Sequence, residues 1–476
     1  MKRYALYFVA LTFIIFESVW GQTLVSGNVS GTWNLARSPF VVIDNCTVPS
    51  GQSLTIEPGV QVIIGKGLKI DVLGQIIAVG TPGQHITIKA PNDTIFWKFI
   101  YIQHSTKKSQ LKYCDMRNAQ RAIYLYIGGV RDTMRTEITN CLFSNCIEAA
   151  IYGESFGTRD QFRGGFEPHL APTVKNCYFS ACSIGCMFYI HGSCIYIPMA
   201  GTFCGGGSAS PKILNNVFWN ITDTAFELVV GDVPRPLGSI PIFQNNTVVN
   251  AKRGIFVQNP YDATIKNNIF YKAKTGIERQ GTTGSLLTYN CFFEKDEKNF
   301  IGYPSTTFGN IVMQNRNGDP CDIGFNIFLN PLFADSTNFK LTNLSPCVDA
   351  GDPSSERDPD GSIADIGANY FPKTVGVHED LDLPKNISLF ENYPNPFNPE
   401  TTISYHLPTV SEVELTVYNT LGQKIRTLVN GKQKAAYHVF RWNGKDNAGD
   451  KVSSGVYLYR LRVGSFVQTK RMLLLR

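Results

Sequence analysis

Four stretches rich in arginine, histidine, carboxylates and aromatics stand out along the chain: 128–136, 153–172, 191–211 and 231–241. Arg131, Asp132 and Arg135 lie in the first, and Glu154, Arg159, Asp160, Phe162, Arg163, Phe166, Glu167 and His169 in the second. His191, Tyr196 and Phe203 lie in the third and Arg235 in the fourth. A guanidinium pairs bidentately with a carboxylate, and the electron-rich face of an aromatic ring accepts the C–H groups of a sugar. This mixture therefore suits an acidic polysaccharide as ligand. Lyase chemistry on such a polymer would draw its base from Arg159, Arg163 or His169, with a carboxylate cluster holding Ca²⁺. The alternative is that these side chains are solvated decoration.

Two other constellations could do chemistry. Glu227 and Glu278 fall at matching places in a repeat, two units apart, which puts them roughly 10 Å from each other at the spacing of stacked strands. Paired carboxylates near that separation support inverting hydrolysis of a glycoside; a solvated strand face is the alternative. Glu356, Asp358, Asp360 and Gly361 follow the first positions of a Ca²⁺ loop. The twelfth position is Gly367 rather than Glu, so Asp365 would have to substitute. The alternative there is a loop that closes the last repeat. No His/Cys spacing suggests structural zinc, and no phosphate-binding glycine loop or nucleophile motif is present. Cys194 and Cys204 sit in one long insertion, and a disulfide closing it is expected.

These residues need a scaffold, and a repeat supplies it. Asn, then Asn or Cys, then two mostly apolar residues recurs at 140–143, 176–179, 215–218, 245–248, 267–270 and 290–293, with a weaker copy at 113–116. Taking Cys114, Cys141, Cys177, Asn216, Asn246, Asn268 and Cys291 as one column, the spacings are 27, 36, 39, 30, 22 and 23 residues. A second strand follows each copy, opened by glycine at Gly254 and Gly276. Such strands stack as coils of a solenoid. A bare coil takes about 22 residues, and the extra residues enter after the second strand, so the four insertions share one side. Stacked asparagines can hydrogen-bond along the column, while stacked cysteines there behave as small buried apolar groups or pair between coils. Short β-rich runs at 54–57, 60–64, 68–72, 75–79 and 86–89, separated by Gly or Pro, extend the solenoid toward the N-terminus.

These opening runs and the closing segment Ser345-Pro346-Cys347-Val348-Asp349-Ala350-Gly351-Asp352-Pro353 with Asp365-Ile366-Gly367-Ala368 resemble secreted right-handed parallel β-helix proteins of the pectate-lyase-like superfamily. The resemblance implies a β-helix over 22–371. It also implies uronate-polymer lyase or hydrolase activity, or a non-enzymatic surface role. The adjacent Asp-Asp pair of polygalacturonases is missing, which counts against hydrolysis.

An irregular linker, 372–385, precedes a change of pattern. Val413, Leu415 and Val417 alternate, as do Tyr457, Tyr459, Leu461 and Val463, with turn glycines between, which reads as a small immunoglobulin-like antiparallel sandwich. Leu389-Phe390-Glu391-Asn392-Tyr393-Pro394-Asn395-Pro396-Phe397, Trp442-Asn443-Gly444-Lys445-Asp446 and the basic-apolar end from Lys470 resemble the type IX (Por) secretion sorting domain. That resemblance, over 386–476, implies recognition by the outer-membrane translocon.

The N-terminus fits export. Lys2 and Arg3 precede an apolar run, Gly21 is a plausible end of the leader, and the expected signal peptide is 1–21. The run is too short to span a bilayer, and no other transmembrane candidate appears. The net charge of +6 resides in 386–476, with 12 basic against 6 acidic residues, so no nucleic-acid footprint emerges. The expectation is an all-β protein, secreted or held on the outer cell surface, that binds carbohydrate or another extended polymer. A polysaccharide lyase or hydrolase, and a structural or adhesive envelope protein, stay open beside it.

Overall fold

The structure is a computed structural model that describes residues 21–104, 107–160, 164–197, 201–231, 240–258, 263–281, 286–294, 298–304, 308–373, 387–389, 392, 395–434 and 436–475. Side chains at 158–160, 164–166, 192–197 and 201–205 lie outside the description. The segments expected to be a leader and a linker fall almost wholly outside the described residues.

The molecule is all-β, a right-handed parallel β-helix followed by an immunoglobulin-like sandwich. Each complete coil has three arms. The short third arm, such as Glu137–Thr139, Thr173–Lys175 and Lys212–Leu214, stacks in a parallel sheet of ten strands. The first and second arms form one bent strand, as in Cys114–Gly128, Leu142–Phe156, Val217–Val230, Thr247–Gln258 and Ile269–Gln280.

Two columns of left-handed residues make the corners. Asn140, Asn176, Asn215, Asn245 and Asn267 open the first arm with φ of 53–57°. Asn118, Asn145, Asn220 and Asn250 bend it into the second, with φ of 53–59°. Asparagine tolerates this region because its short amide bonds locally. The first Asn of the motif is therefore a corner, and the next residue points inward.

That inner column runs from Cys114 through Cys141, Cys177, Asn216, Asn246 and Asn268, but its next member is Asn290 and not Cys291. Cys291 aligns with Ile269 and faces outward; Tyr289 takes the corner at φ 55°. The sequence pattern slips by one here because Asn-Cys occurs one residue late. The asparagines are fully buried and each amide spends its bonds along the stack. Asn246 receives the Asn216 Nδ2 donor on Oδ1 at 3.0 Å, and its own Nδ2 donates to Ile213 O and to Asn268 Oδ1. Unpaired, each amide would cost several kcal/mol, about 1–3 on mutational scales. The ladder ends on a buried carboxylate: Asn326 Nδ2 donates to Asp322 Oδ1 at 3.0 Å. At Cys114, Cys141 and Cys177 the column is thiols, and burial pushes Cys177 upward in pKa, so it stays protonated.

Inside, Phe143, Phe179 and Phe218 stack face to face at 4.9 and 4.6 Å, and Phe270 and Phe292 do the same at 4.9 Å. The glycines that open second arms make room for these rings. A Cβ at Gly254 would come within 2.5 Å of the Phe270 ring.

The segment 329–371 does more than close the last coil, as the sequence suggested. It runs back along the outside of the first arms. Tyr178 Oη donates to Thr337 O at 2.9 Å, Ala368 N to Thr247 Oγ1 at 2.9 Å and Gly367 N to Asn267 O at 2.8 Å. Beneath this strap lie Val217, Trp219, Val249 and Tyr271, packed by Phe333 and Phe339.

In the tail, Ser388–Leu389, Thr401–Leu407 and Ala436–Trp442 form one sheet. Ser411–Asn419, Lys424–Gln433, Gly455–Val463 and Phe466–Leu474 form the other. The alternating residues read from the sequence are its core, with Leu415, Val417, Tyr459 and Leu461 fully buried around Trp442.

Candidate functional site

Among the described residues, no strap covers the second arms. Their inward residues, Ile123, Leu125, Ile151 and Phe188, are buried; their outward residues form two rows along the solenoid. One row reads Tyr101, Tyr124, Tyr152, Met187, Glu227, Phe256 and Glu278 on successive coils. The other reads Gln103, Tyr126, Glu154, Tyr189 and Val229.

The N-terminal half of this face is an aromatic strip. Tyr101 and Tyr124 pack edge to face with centroids 4.7 Å apart, and Tyr124 and Tyr152 at 5.0 Å. Arg121 lies over the Tyr152 ring at 4.2 Å and pairs with Glu148 at 2.7 Å. Glu154 accepts the hydroxyl of Tyr124 and lies 2.5 Å from His191 Nε2, though without hydrogen-bond alignment, since that nitrogen has no bonding partner of proper geometry. His191 stacks on Tyr189 at 4.2 Å. Burial raises Tyr101 and Tyr152 to about 12, and burial plus the Glu154 bond raises Tyr124. All three stay neutral donors at physiological pH.

The C-terminal half is charged. Glu227 and Glu278 face outward two coils apart and flank Phe256, as the repeat predicted. Arg253 lies over Phe256 at 4.7 Å and reaches Glu278 at 3.5 Å and Asp223 at 3.3 Å. Its Nε is buried without a partner. Burial raises Glu227, with Arg253 opposing.

The insertions do leave the solenoid at one register. Gly128 aligns with Phe156 and Phe156 with His191. They stack as a wall, with Thr133, His169 and Ser208 in one parallel ladder. His169 is committed to that wall: its Nδ1 lies 2.6 Å from Ser208 Oγ, and burial, then Arg135, lower its pKa. Arg131 and Glu167 are exposed. Asp132 Oδ2 lies 2.9 Å from His104 Nε2, and Arg135 lines a pocket beside them.

Arg159 and Asp160 lie on Thr158–Asp160, opposite Gly164–Phe166, which contains Phe166. Tyr196 pairs with Thr202 and Ile195 with Phe203 across a hairpin. The side chains of Arg159, Asp160, Phe166, Tyr196 and Phe203 lie outside the described residues, as do Phe162, Arg163 and Arg235 altogether. The backbones of Cys194 and Cys204 stand directly opposite each other in that hairpin.

The strap carboxylates do not form the Ca²⁺ loop suggested by their spacing. Asp360 accepts from Ser362 N and Lys373 N, and Asp365 from Asp349 N and Phe371 N. Asp358 accepts from Asp365 N, and Glu356 has no such role. The oxygens serve backbone amides, and among the described residues no group of three or more His, Cys, Asp or Glu could hold a metal.

Of the residues expected on loops, Asp132 and Arg135 lie in the first insertion, whereas Glu154 and His191 lie on the strands Leu142–Phe156 and Ile184–Ile197. Tyr101, Tyr124, Tyr126, Tyr152, Tyr189 and Arg121 were missed because they sit on strands, and His104 because it directly follows one. A signal existed in Ile123-Tyr124-Leu125-Tyr126-Ile127 and Ile151-Tyr152-Gly153-Glu154, where polar aromatics alternate with core residues.

Residues 98–293 match the family described as right-handed beta helix region, and residues 398–464 match the FlgD Ig-like domain. No curated protein matches the chain. Among solved structures, latent PorU from Porphyromonas gingivalis is similar at 20% identity over 19% of this chain and 9% of that one, with a TM-score of 0.17. FlgD from P. aeruginosa is similar at 27% identity over 16% of this chain and 57% of that one, TM-score 0.13. The tailspike protein of E. coli bacteriophage HK620 aligns at 9% identity over 90% of this chain and 86% of that one, TM-score 0.25. No helix among the described residues is long and apolar enough to cross a membrane.

Proposed function

We propose that the protein is an exported β-helix protein that holds an extended polysaccharide along the open face of its second arms. The observation that carries this reading is the continuous outward row Tyr101–Tyr124–Tyr152, with Glu154, Tyr189 and His191 beside it. Successive coils repeat at about 4.8 Å, so groups recur along the axis as they do along a polymer. Half-buried rings offer stacking area at low entropic cost, while the Tyr hydroxyls, Glu154 and Arg121 offer hydrogen bonds to sugar hydroxyls. The insertion wall rises along one margin of the row.

The test is retention of the purified protein by a panel of neutral and uronate polysaccharides, read with new chain ends and with and without Ca²⁺. Retention that falls on Tyr124→Ala supports the reading. Silence across the panel shifts the function to a structural or adhesive envelope role.

A second reading, hydrolysis, is favoured by one feature: Glu227 and Glu278 flank Phe256 at one register with Arg253 between them. Burial raises Glu227, as a general acid requires, and about 10 Å leaves room for a water opposite it. New chain ends that vanish in Glu227→Gln would establish cleavage.

Residues 386–476 serve, in this proposal, as a type IX sorting tail that brings the β-helix to the outer surface. Its motifs and its sandwich support this. A reporter fused to 386–476 should reach the surface of a bacterium that has the type IX machinery; periplasmic retention would refute it.

A further inference from the structure

We infer that Cys291 and Cys347 are a covalent modification site, a disulfide that staples the strap to the last coil of the β-helix. Both are thiols in the structure, and both are fully buried. They belong to one apolar cluster with Ile269, Cys321, Ile327, Leu341 and Ile366. Cys291 opens the strand Cys291–Phe293 and faces outward, in register with Ile269. Cys347 lies in a turn of the strap, where its carbonyl accepts Ile366 N at 2.9 Å. The strap brings the two side chains together, so that the Cys291 and Cys347 thiols are hydrogen-bonded to each other. The Cys291 thiol also donates to Leu329 O at 3.2 Å, where the strap begins.

Thiols also stack elsewhere, and there the geometry opposes a bond. Cys114, Cys141 and Cys177 project the same way from successive coils, and Cys146 meets Cys182 in a second stack. Parallel neighbours repeat at about 4.8 Å, whereas a disulfide holds its Cβ atoms at about 3.8 Å. The hydrogen-bonded ladders on either side keep the coils from closing that difference. Cys291 and Cys347 escape the constraint. One points out from the coil and the other in from the strap, and Cys347 is in a turn rather than a strand, so a small movement of the strap brings the sulfurs to bonding distance. The bond closes a loop of about 55 residues and so removes much conformational freedom from the unfolded chain. It also fixes the segment that covers Val217, Trp219, Val249 and Tyr271.

The step is thiol–disulfide exchange with a protein disulfide as oxidant. One cysteine attacks that disulfide as a thiolate and displaces one of its sulfurs. The second cysteine then attacks the mixed disulfide, forms the Cys291–Cys347 bond and releases the other sulfur. The two cysteines give up two electrons and two protons, and the oxidant ends as two thiols. Export, as proposed above, would bring the chain to a compartment that holds such an oxidant. Burial and then the Cys291 contact push the Cys347 thiol upward in pKa. Exchange therefore belongs to the stage before the strap closes, and the finished bond is shielded from reductant.

The experiment refolds the reduced, denatured full-length protein in a glutathione redox buffer. The buffer supplies the oxidant, so the outcome stands apart from the export reading. Free thiols are then alkylated in denaturant and the disulfide-linked peptides are mapped by mass spectrometry. The expected result is a peptide pair joining Cys291 to Cys347 in most chains, with Cys114, Cys141, Cys146, Cys177 and Cys182 alkylated. The gain in melting temperature over protein refolded in dithiothreitol should be about 5 °C larger in the wild type than in Cys347→Ala. Cys141→Ala, which takes a thiol from the column, should keep the full gain. Alkylation of both Cys291 and Cys347 after oxidative refolding would overturn the inference, as would linkage of either one to another cysteine such as Cys321. An equal gain in the wild type and Cys347→Ala would overturn it too. The peptide map is read on the wild type, so it decides even where Cys347→Ala fails to fold.

Discussion

The β-helix has two outward faces built from the same bent strands, and they differ in what covers them. Both set aromatics at alternate positions of stacked arms. On the first arms, Trp219 and Tyr271 meet Phe339 and Phe333 of the strap at 6.3 and 5.6 Å, alongside Val217 and Val249. On the second arms, Tyr101, Tyr124, Tyr152 and Tyr189 have no such cover among the described residues and meet Arg121, Glu154 and His191 instead. A row of rings alone thus does not mark a binding surface. The first face hides rings because its neighbours are apolar and a later segment of the chain supplies more apolar area. The second keeps its rings half-buried, because hydroxyls and charges beside them are better served by water or by a hydroxyl-rich ligand.

The largest expected effect is on the covered face. Phe339→Ala should cost about 3–5 kcal/mol, seen as a lower melting temperature, with polysaccharide binding by the folded protein unchanged. Loss of binding there would erase the distinction between the faces. The strap also carries a pH signature. Burial and repulsion by Asp365 push Asp358 up to about 7, and burial pushes Asp365 up to about 6. The folded state therefore keeps protons that the unfolded chain releases, and stability should fall as pH rises from about 4 to about 7. Asp360, held at about 2 by Ser362 and the Lys373 amide, acts in the opposite sense only below about pH 4. Asp358→Asn should flatten the fall and raise the melting temperature at pH 8 by roughly a few degrees; an unchanged pH profile would contradict this. On the open face the effects move from stability to binding. Tyr152→Ala should weaken polysaccharide binding roughly tenfold while costing about 1 kcal/mol of stability. Arg121→Gln, which removes a cation over that ring, should weaken it roughly two- to fivefold.

The repeat made the fold legible. Asn at the corners, an inward Asn or Cys and an inward Phe report the coil, because only a left-handed turn, a buried amide ladder and a stacked ring fit those places. One slip, at Cys291, arose because Asn290 can be read as a corner or as a rung, and only pairing with Asn268 decides. The strap was not legible as such. Its covering of Trp219 and Val249 depends on contacts between segments far apart in the chain, which no local pattern encodes. The candidate site was legible by half. Glu154, His191, Asp132 and Arg135 stood out as charges at loop starts, and the Glu227–Glu278 pairing followed from coil counting. The tyrosines were hidden by their alternation with Ile and Leu, which reads first as a strand and only after alignment of coils as rows. The Asp358–Asp365 pair shows the converse failure: metal-loop spacing without metal-loop geometry, since Asp365 spends both oxygens, and Asp358 one, on backbone amides.

The most direct test of the claim that the open face is the binding surface compares two folded variants on any polysaccharide that retains the wild type. Tyr124→Ala/Tyr152→Ala alters the open face, and Phe339→Leu alters the covered one. The account predicts that the first loses retention and the second keeps it. Retention undiminished in the tyrosine variant, or lost in Phe339→Leu while it remains folded, would contradict it.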